Sequence, residues 1–165
     1  MSHCKRATAT EADETRMRAH MASLAHELQS VEQVLLDGDR LAVALAGRRL
    51  VYVGGRPGSN AVLRELVRRA GSEFVHHVAL VDADGSARAA RFEALLLRTD
   101  IVLCPLDTID PDSLAALRAS CARHCVTWIA LRTSSVASFV AGVLKSQQLR
   151  PDRRASSRCI CRRHG

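Results

Sequence analysis

From Arg48 onward the chain alternates short apolar runs with longer amphipathic stretches, and this alternation constrains the fold more than any other feature. Leu50–Val53, Glu73–Leu80, Ile101–Leu106 and Val126–Leu131 read as strands: they are short, rich in β-branched and apolar residues, and separated by turn-forming residues. Between them, Asn60–Ala70, Ala87–Arg98 and Ser113–His124 repeat apolar residues at helical spacing. Asp112 or Asp110 is the expected cap of the third of these helices, and a last helix opens at Thr133-Ser134-Ser135 and runs to about Gln147. Strands alternating with helices of this length pair in parallel through right-handed crossovers. The predicted fold is therefore α/β, with a four-stranded parallel sheet between two layers of helices.

The first 46 residues follow a different rule. The first ten carry no pattern and are expected to be loose, with a helix starting at Glu11. Met17, Met21, Leu24, Leu28, Val31 and Leu35 then recur at alternating spacings of four and three, which is the a/d seam of a heptad repeat. Asp37-Gly38 is the expected stop, and Asp39 the expected N-cap of a short helix over Leu41–Ala46, closed by Gly47. So narrow a stripe suits a seam between two helices better than a broad core face. The chain thus divides into a helical, coiled-coil-like arm (1–46), an α/β domain (47–148) and a tail (149–165). A homodimer through residues 11–46 is expected, the alternative being a helix packed on its own domain.

Charge and cysteine usage narrow the function classes. The chain has 165 residues and a formal net charge of +7. The arm carries −2, the α/β domain +4 and the 17-residue tail +5, so the imbalance is concentrated at one end. The tail, with almost nothing to bury, is expected to be disordered. Its arginines offer a contact to nucleic acid, but 3% aromatic content and the lack of a reading helix argue against nucleic acid as a partner. No apolar run approaches the roughly 20 residues that span a bilayer, and the start has no apolar leader segment, so a cytoplasmic address with no membrane contact is expected. In that compartment the six cysteines are thiols or ligands rather than a disulfide framework.

In an open parallel sheet, ligands bind beyond the carboxyl ends of the strands. The special residues of this chain gather there: Gly54, Gly55, Arg56, Gly58, Ser59 and Asn60 after the first strand, His76 and His77 at the second, Cys104 and Asp107-Thr108 at the third, and Arg132, Thr133, Ser134 and Ser135 at the fourth. The glycine loop leads into a helix N-terminus, where unpaired amides and the helix dipole favour an anion, and Arg56 adds charge. Its glycine spacing is neither the dinucleotide fingerprint nor a P-loop, so a small anion is expected rather than NAD. A tight turn is the plainer reading of the same glycines.

Histidine and cysteine supply the candidate haem or metal ligands: His76, His77, Cys104, Cys121, His124 and Cys125. The plainer readings are a hydrogen-bonded strand-end histidine and a buried thiol serving as a small hydrophobe. Cys121, His124 and Cys125 fall at a helix end, on the opposite edge of the sheet. The tail adds Cys159, Cys161 and His164, whose spacing matches no standard zinc module. No catalytic acid–base pair is defined by spacing, and Ser134 and Ser135 lack the glycines of a nucleophile elbow.

Val51-Tyr52-Val53-Gly54-Gly55-Arg56, the His76-His77 pair and Arg132-Thr133-Ser134-Ser135-Val136-Ala137-Ser138-Phe139 together resemble the hallmarks of a bacterial family, domain of unknown function 2325, over about residues 48–145. Val78-Ala79-Leu80 stand where that family has acidic and glycine residues, and Thr108 and Asp110 where it commonly has Cys and His. The resemblance implies a small Rossmann-like domain without established enzyme activity. It also implies haem binding in some members, with His and Cys as iron ligands. The combined expectation is a non-enzymatic ligand-binding or sensor domain, with redox-sensitive thiols and haem or a metal ion as candidate cofactors. An enzyme or binding protein for a phosphorylated or nucleotide ligand is the alternative.

Overall fold

The computed structural model describes residues 3–78 and 85–148, with side chains from 11–78 and 89–147. The elements follow in the order α1 (His3–Leu36), α2 (Asp39–Leu45), β1 (Arg49–Val53), α3 (Pro57–Arg69), β2 (Glu73–His77), α4 (Gly85–Leu96), β3 (Ile101–Pro105), α5 (Pro111–Arg123), β4 (Thr127–Leu131) and α6 (Val136–Gln148). The four strands form one parallel sheet in the order β2-β1-β3-β4. The predicted α/β fold with its helical arm is the fold observed.

Side-chain alternation along the strands builds two cores. Leu50 and Tyr52 of β1, Ile101 and Leu103 of β3, and Ile129 and Leu131 of β4 face α2, α3 and α6, burying Leu41, Leu45, Leu63, Val67, Phe139 and Val143. Val51, Val53, Val102 and Cys104 face the other way, onto Phe92 and Leu96 of α4 and Leu117 and Cys121 of α5. The sheet is covered on both faces, as a parallel sheet requires. Tyr52 sits with its ring 5.7 Å from Phe74 and 6.2 Å from Phe139.

Several boundaries differ from the expected ones. α1 begins at His3, not Glu11, because neither Gly nor Pro interrupts the chain before Gly38. The sequence predicted β2 as far as Leu80; among the described residues it ends at His77, and 79–84 lie outside them. Asp39 is the first residue of α2 rather than its cap: Gly38 takes that position with right-handed helical backbone and no side-chain cap bond. The cap of α5 is Asp110, whose Oδ1 accepts the Ser113 amide at 2.7 Å. α6 starts at Val136, and Ser135 Oγ accepts the Ser138 amide at 3.1 Å. The tail, with Cys159, Cys161 and His164, lies outside the described residues.

The arm docks by an unexpected face. Glu27 and Ser30 are buried, and Val34 packs against the α2–α3–α6 core. Met17, Met21, Leu24, Leu28 and Leu35 of the heptad stripe are instead exposed, Met21 at 62% and Leu35 at 79%. A polar flank of the helix meets its own domain, and the apolar stripe faces outward. No described helix is long and apolar enough to cross a membrane.

Candidate functional site at the carboxyl edge

The strand order places the topological switch point between β1 and β3. There the loops after β1, β3 and β4 join. The Gly54 amide extends the ladder to the His77 carbonyl at 2.9 Å, and the Gly55 amide donates to Thr108 Oγ1 at 2.8 Å. Both glycines adopt positive φ, 83° and 85°. A Cβ on Gly55 would lie 2.3 Å from Asn60 Oδ1 and 2.4 Å from Tyr52 Cε1. Glycine is thus demanded there by backbone and space together.

Asp107 ties three loops. Its Oδ2 accepts from Arg56 Nη2 at 3.2 Å and from Ser134 Oγ at 3.2 Å. Arg56 is also the N-cap residue of α3, with Pro57 in the first turn and no side-chain cap bond. The first-turn amides of Gly58 and Ser59 therefore have neither an intrahelical partner nor a capping side chain. Beneath Gly55, Tyr52 Oη and Asn60 Oδ1 are buried without a hydrogen-bond partner. Burial pushes the Tyr52 phenol upward, with the negative charge of Asp107 adding to the effect, so the hydroxyl is a donor at neutral pH.

His76 belongs to this edge, on the α3 face. Its Nε2 lies 2.8 Å from the Gly54 carbonyl and 3.0 Å from Asn60 Nδ2, which itself donates to Gly54 O at 3.2 Å. With the proton on Nε2, the imidazole donates to Gly54 and holds the loop. His77 points to the opposite face, its ring 5.2 Å from that of Phe92.

The remaining candidates do not converge with His76. Cys104 is buried on the α4–α5 face, and burial pushes its thiol up to about 12. Cys121 lies in the same core, pushed up to about 11 by burial. His124 caps the far end of α5 and engages Glu93, which also binds Ser120 Oγ at 2.7 Å and Arg123. Cys125 follows, exposed, with φ 53°. Among the described residues no three His, Cys, Asp or Glu side chains form a group that could hold a metal ion.

Arg132 has a role the sequence did not reveal. Its Nε and Nη2 donate to Glu27 Oε1 and Oε2 of α1 at 2.8 and 2.7 Å. Ser138 Oγ donates to Glu27 Oε1 at 2.7 Å and lies 3.0 Å from Thr133 Oγ1, which also donates to Ser135 Oγ at 3.0 Å. Arg132 and Ser138 thus fasten the arm, Thr133 and Ser135 bond to each other and to Ser138, and Ser134 turns to Asp107. Tyr52 was missed as a site residue although it stands between two strand valines directly before the glycines; nothing in the sequence marks Glu27. A scan against protein-family models and searches of curated proteins and of solved structures find no match to this chain.

Proposed function

We propose that the protein is a non-enzymatic, cytoplasmic ligand-binding regulatory domain that works as a homodimer, taking a small anion at the carboxyl edge of its sheet. The carrying observation is an orphaned donor, the Tyr52 hydroxyl, buried beneath Gly55 beside the uncapped first turn of α3. Buried polar groups are rarely left unpaired, and those that are call for a water, an ion or a ligand. Arg56 and the uncapped first turn of α3 give the adjoining loop the polarity an anion needs. An anion there competes with Asp107 for Arg56, loosening a hub that reaches Ser134 next to the arm clamp. That linkage supports a sensor better than a catalyst. It agrees with the family resemblance over residues 48–145, which we retain as part of the reading.

The exposed heptad stripe of α1 supports the homodimer. In a parallel pair the two domains, each docked on the Glu27 flank, lie on opposite sides of the seam; an antiparallel pair crowds them on one side. The test is thermal melting of the full chain with a panel of nucleotides and sugar phosphates. A ligand of the edge raises the melting temperature of wild type and not of Arg56→Ala. No shift with any of the panel ends the anion reading. Haem, the alternative ligand carried by His76 and the thiols, is tested by the visible spectrum after haem addition: a Soret shift lost in His76→Ala would replace the anion by haem.

A further inference from the structure

The groove where the arm meets the domain differs in chemistry from its surroundings. His26, Gln29 and Gln33 of α1, Arg40 of α2, and Lys145 and Gln147 of α6 line a cleft of about 330 Å³, with no carboxylate among its lining residues. Several other arginines find acids: Arg49 pairs with Glu73, Arg68 and Arg69 with Glu65, Arg123 with Glu93, and Arg132 with Glu27. Arg40 and Lys145 pair with none among the described residues. Glu27, the sequence neighbour of His26, is turned to Arg132 and Ser138. Two cations from different helices thus line one polar cleft that no carboxylate lines, beside three amide side chains that can donate; Glu27, which lines the adjoining cavity with Lys145, is held by Arg132 and Ser138.

We infer that this cleft is a second anion site, for a phosphorylated small molecule whose phosphates sit between Arg40 and Lys145 and whose polar body meets Gln29, Gln33 and Gln147. Its volume lies at the low end of small-molecule sites, about 300–1,000 Å³, and exceeds what a single phosphate fills. Convergent cations with no acid raise the local potential, and a multiply charged anion relieves the repulsion between them. Three helices wall the cleft, so a ligand bound there joins the arm to α2 and α6. This site is separate from the carboxyl edge and stands or falls without it.

The probe is inorganic pyrophosphate, titrated calorimetrically into the full chain. One pyrophosphate per chain is expected at this cleft, in addition to any held at the carboxyl edge. Affinity should fall about tenfold or more in the Arg40→Ala/Lys145→Ala double variant, because each cation contributes a charge-assisted contact. Arg56→Ala should leave it unchanged, as should Arg16→Ala/Arg18→Ala, which removes the same charge from the exposed part of α1. Arg40 and Lys145 are both exposed, and circular dichroism checks that the double variant is folded. Absent binding, equal binding in the Arg40/Lys145 variant, or loss in either control overturns the assignment.

Discussion

Arg132, at the end of β4, grips both carboxylate oxygens of Glu27 on α1, 105 residues earlier in the chain. Glu27 is nearly buried, its side chain 8% exposed against 28% for Arg132. Burial opposes the ionisation of Glu27, but hydrogen bonds from Arg132 and Ser138 outweigh it and hold the carboxyl below its ordinary range. Arg132→Ala leaves that carboxylate buried without a counter-charge and should cost about 3 kcal/mol of unfolding free energy in urea. Arg132→Ala/Glu27→Gln should recover part of the loss, and a double-mutant cycle measures the coupling.

Gly55→Ala should destabilise the domain by about 2 kcal/mol or more, since it adds a strained backbone to a collision with Tyr52 and Asn60. Gly58→Ala is the control: a Cβ there meets nothing within 4 Å, and the residue lies in the first turn of α3. Thermal melts should separate the two variants clearly. Equal behaviour would mean that the loop has room to relax.

Acid should weaken the fold in a defined window. Hydrogen bonds from Ser120, His124 and Arg123 outweigh partial burial and hold Glu93 down at about 2, against an ordinary 4.5. A carboxyl depressed in the folded state contributes stability that is complete above its unfolded value and is lost as pH falls toward the folded one. The contribution of Glu93 should therefore fade between about pH 4.5 and 2, with Glu27 acting in the same direction. In Glu93→Gln the urea midpoint should depend less on pH across that window.

Leu24→Glu/Leu28→Glu should convert a dimer to a monomer without unfolding the α/β domain, because both side chains are exposed on the face away from it. Sedimentation velocity at several concentrations reads the mass, and near-ultraviolet circular dichroism around Trp128 reads the fold. A wild-type chain that sediments as a monomer throughout removes the arm as a dimer seam.

Cys104 and Cys121 should resist iodoacetamide at pH 7 in the native protein. Both are fully buried, and burial pushes their thiols to about 12 and about 11, so little thiolate exists and none is accessible. Peptide mapping should find both alkylated only after urea is added. Rapid native alkylation of Cys104 would restore it as a reactive thiol.

The sheet and its edges were legible in the sequence because strand period, helix period and turn residues are local properties of the chain. Leu50–Val53 and Ile101–Pro105 are apolar on both sides, and such runs are buried only when helices cover both faces of a parallel sheet. The fate of individual polar residues was less legible. Arg132-Thr133-Ser134-Ser135 stood at the expected edge, yet the partner of Arg132 comes from the arm, which sequence distance does not reveal.

The sequence by itself determined the α/β class, the grouping of glycines and polar residues at the carboxyl edge, an aspartate cap at Asp110 or Asp112 and the apolar stripe of α1. Each follows from spacing within one element. Only the tertiary structure decided that the stripe faces outward while Glu27 and Ser30 dock, that Asp107 joins Arg56 to Ser134, and that Cys104 and Cys121 share one buried core. Those outcomes depend on which elements become neighbours. Docking a polar flank costs least where another element already holds its counter-charge, and for Glu27 that element is the turn carrying Arg132.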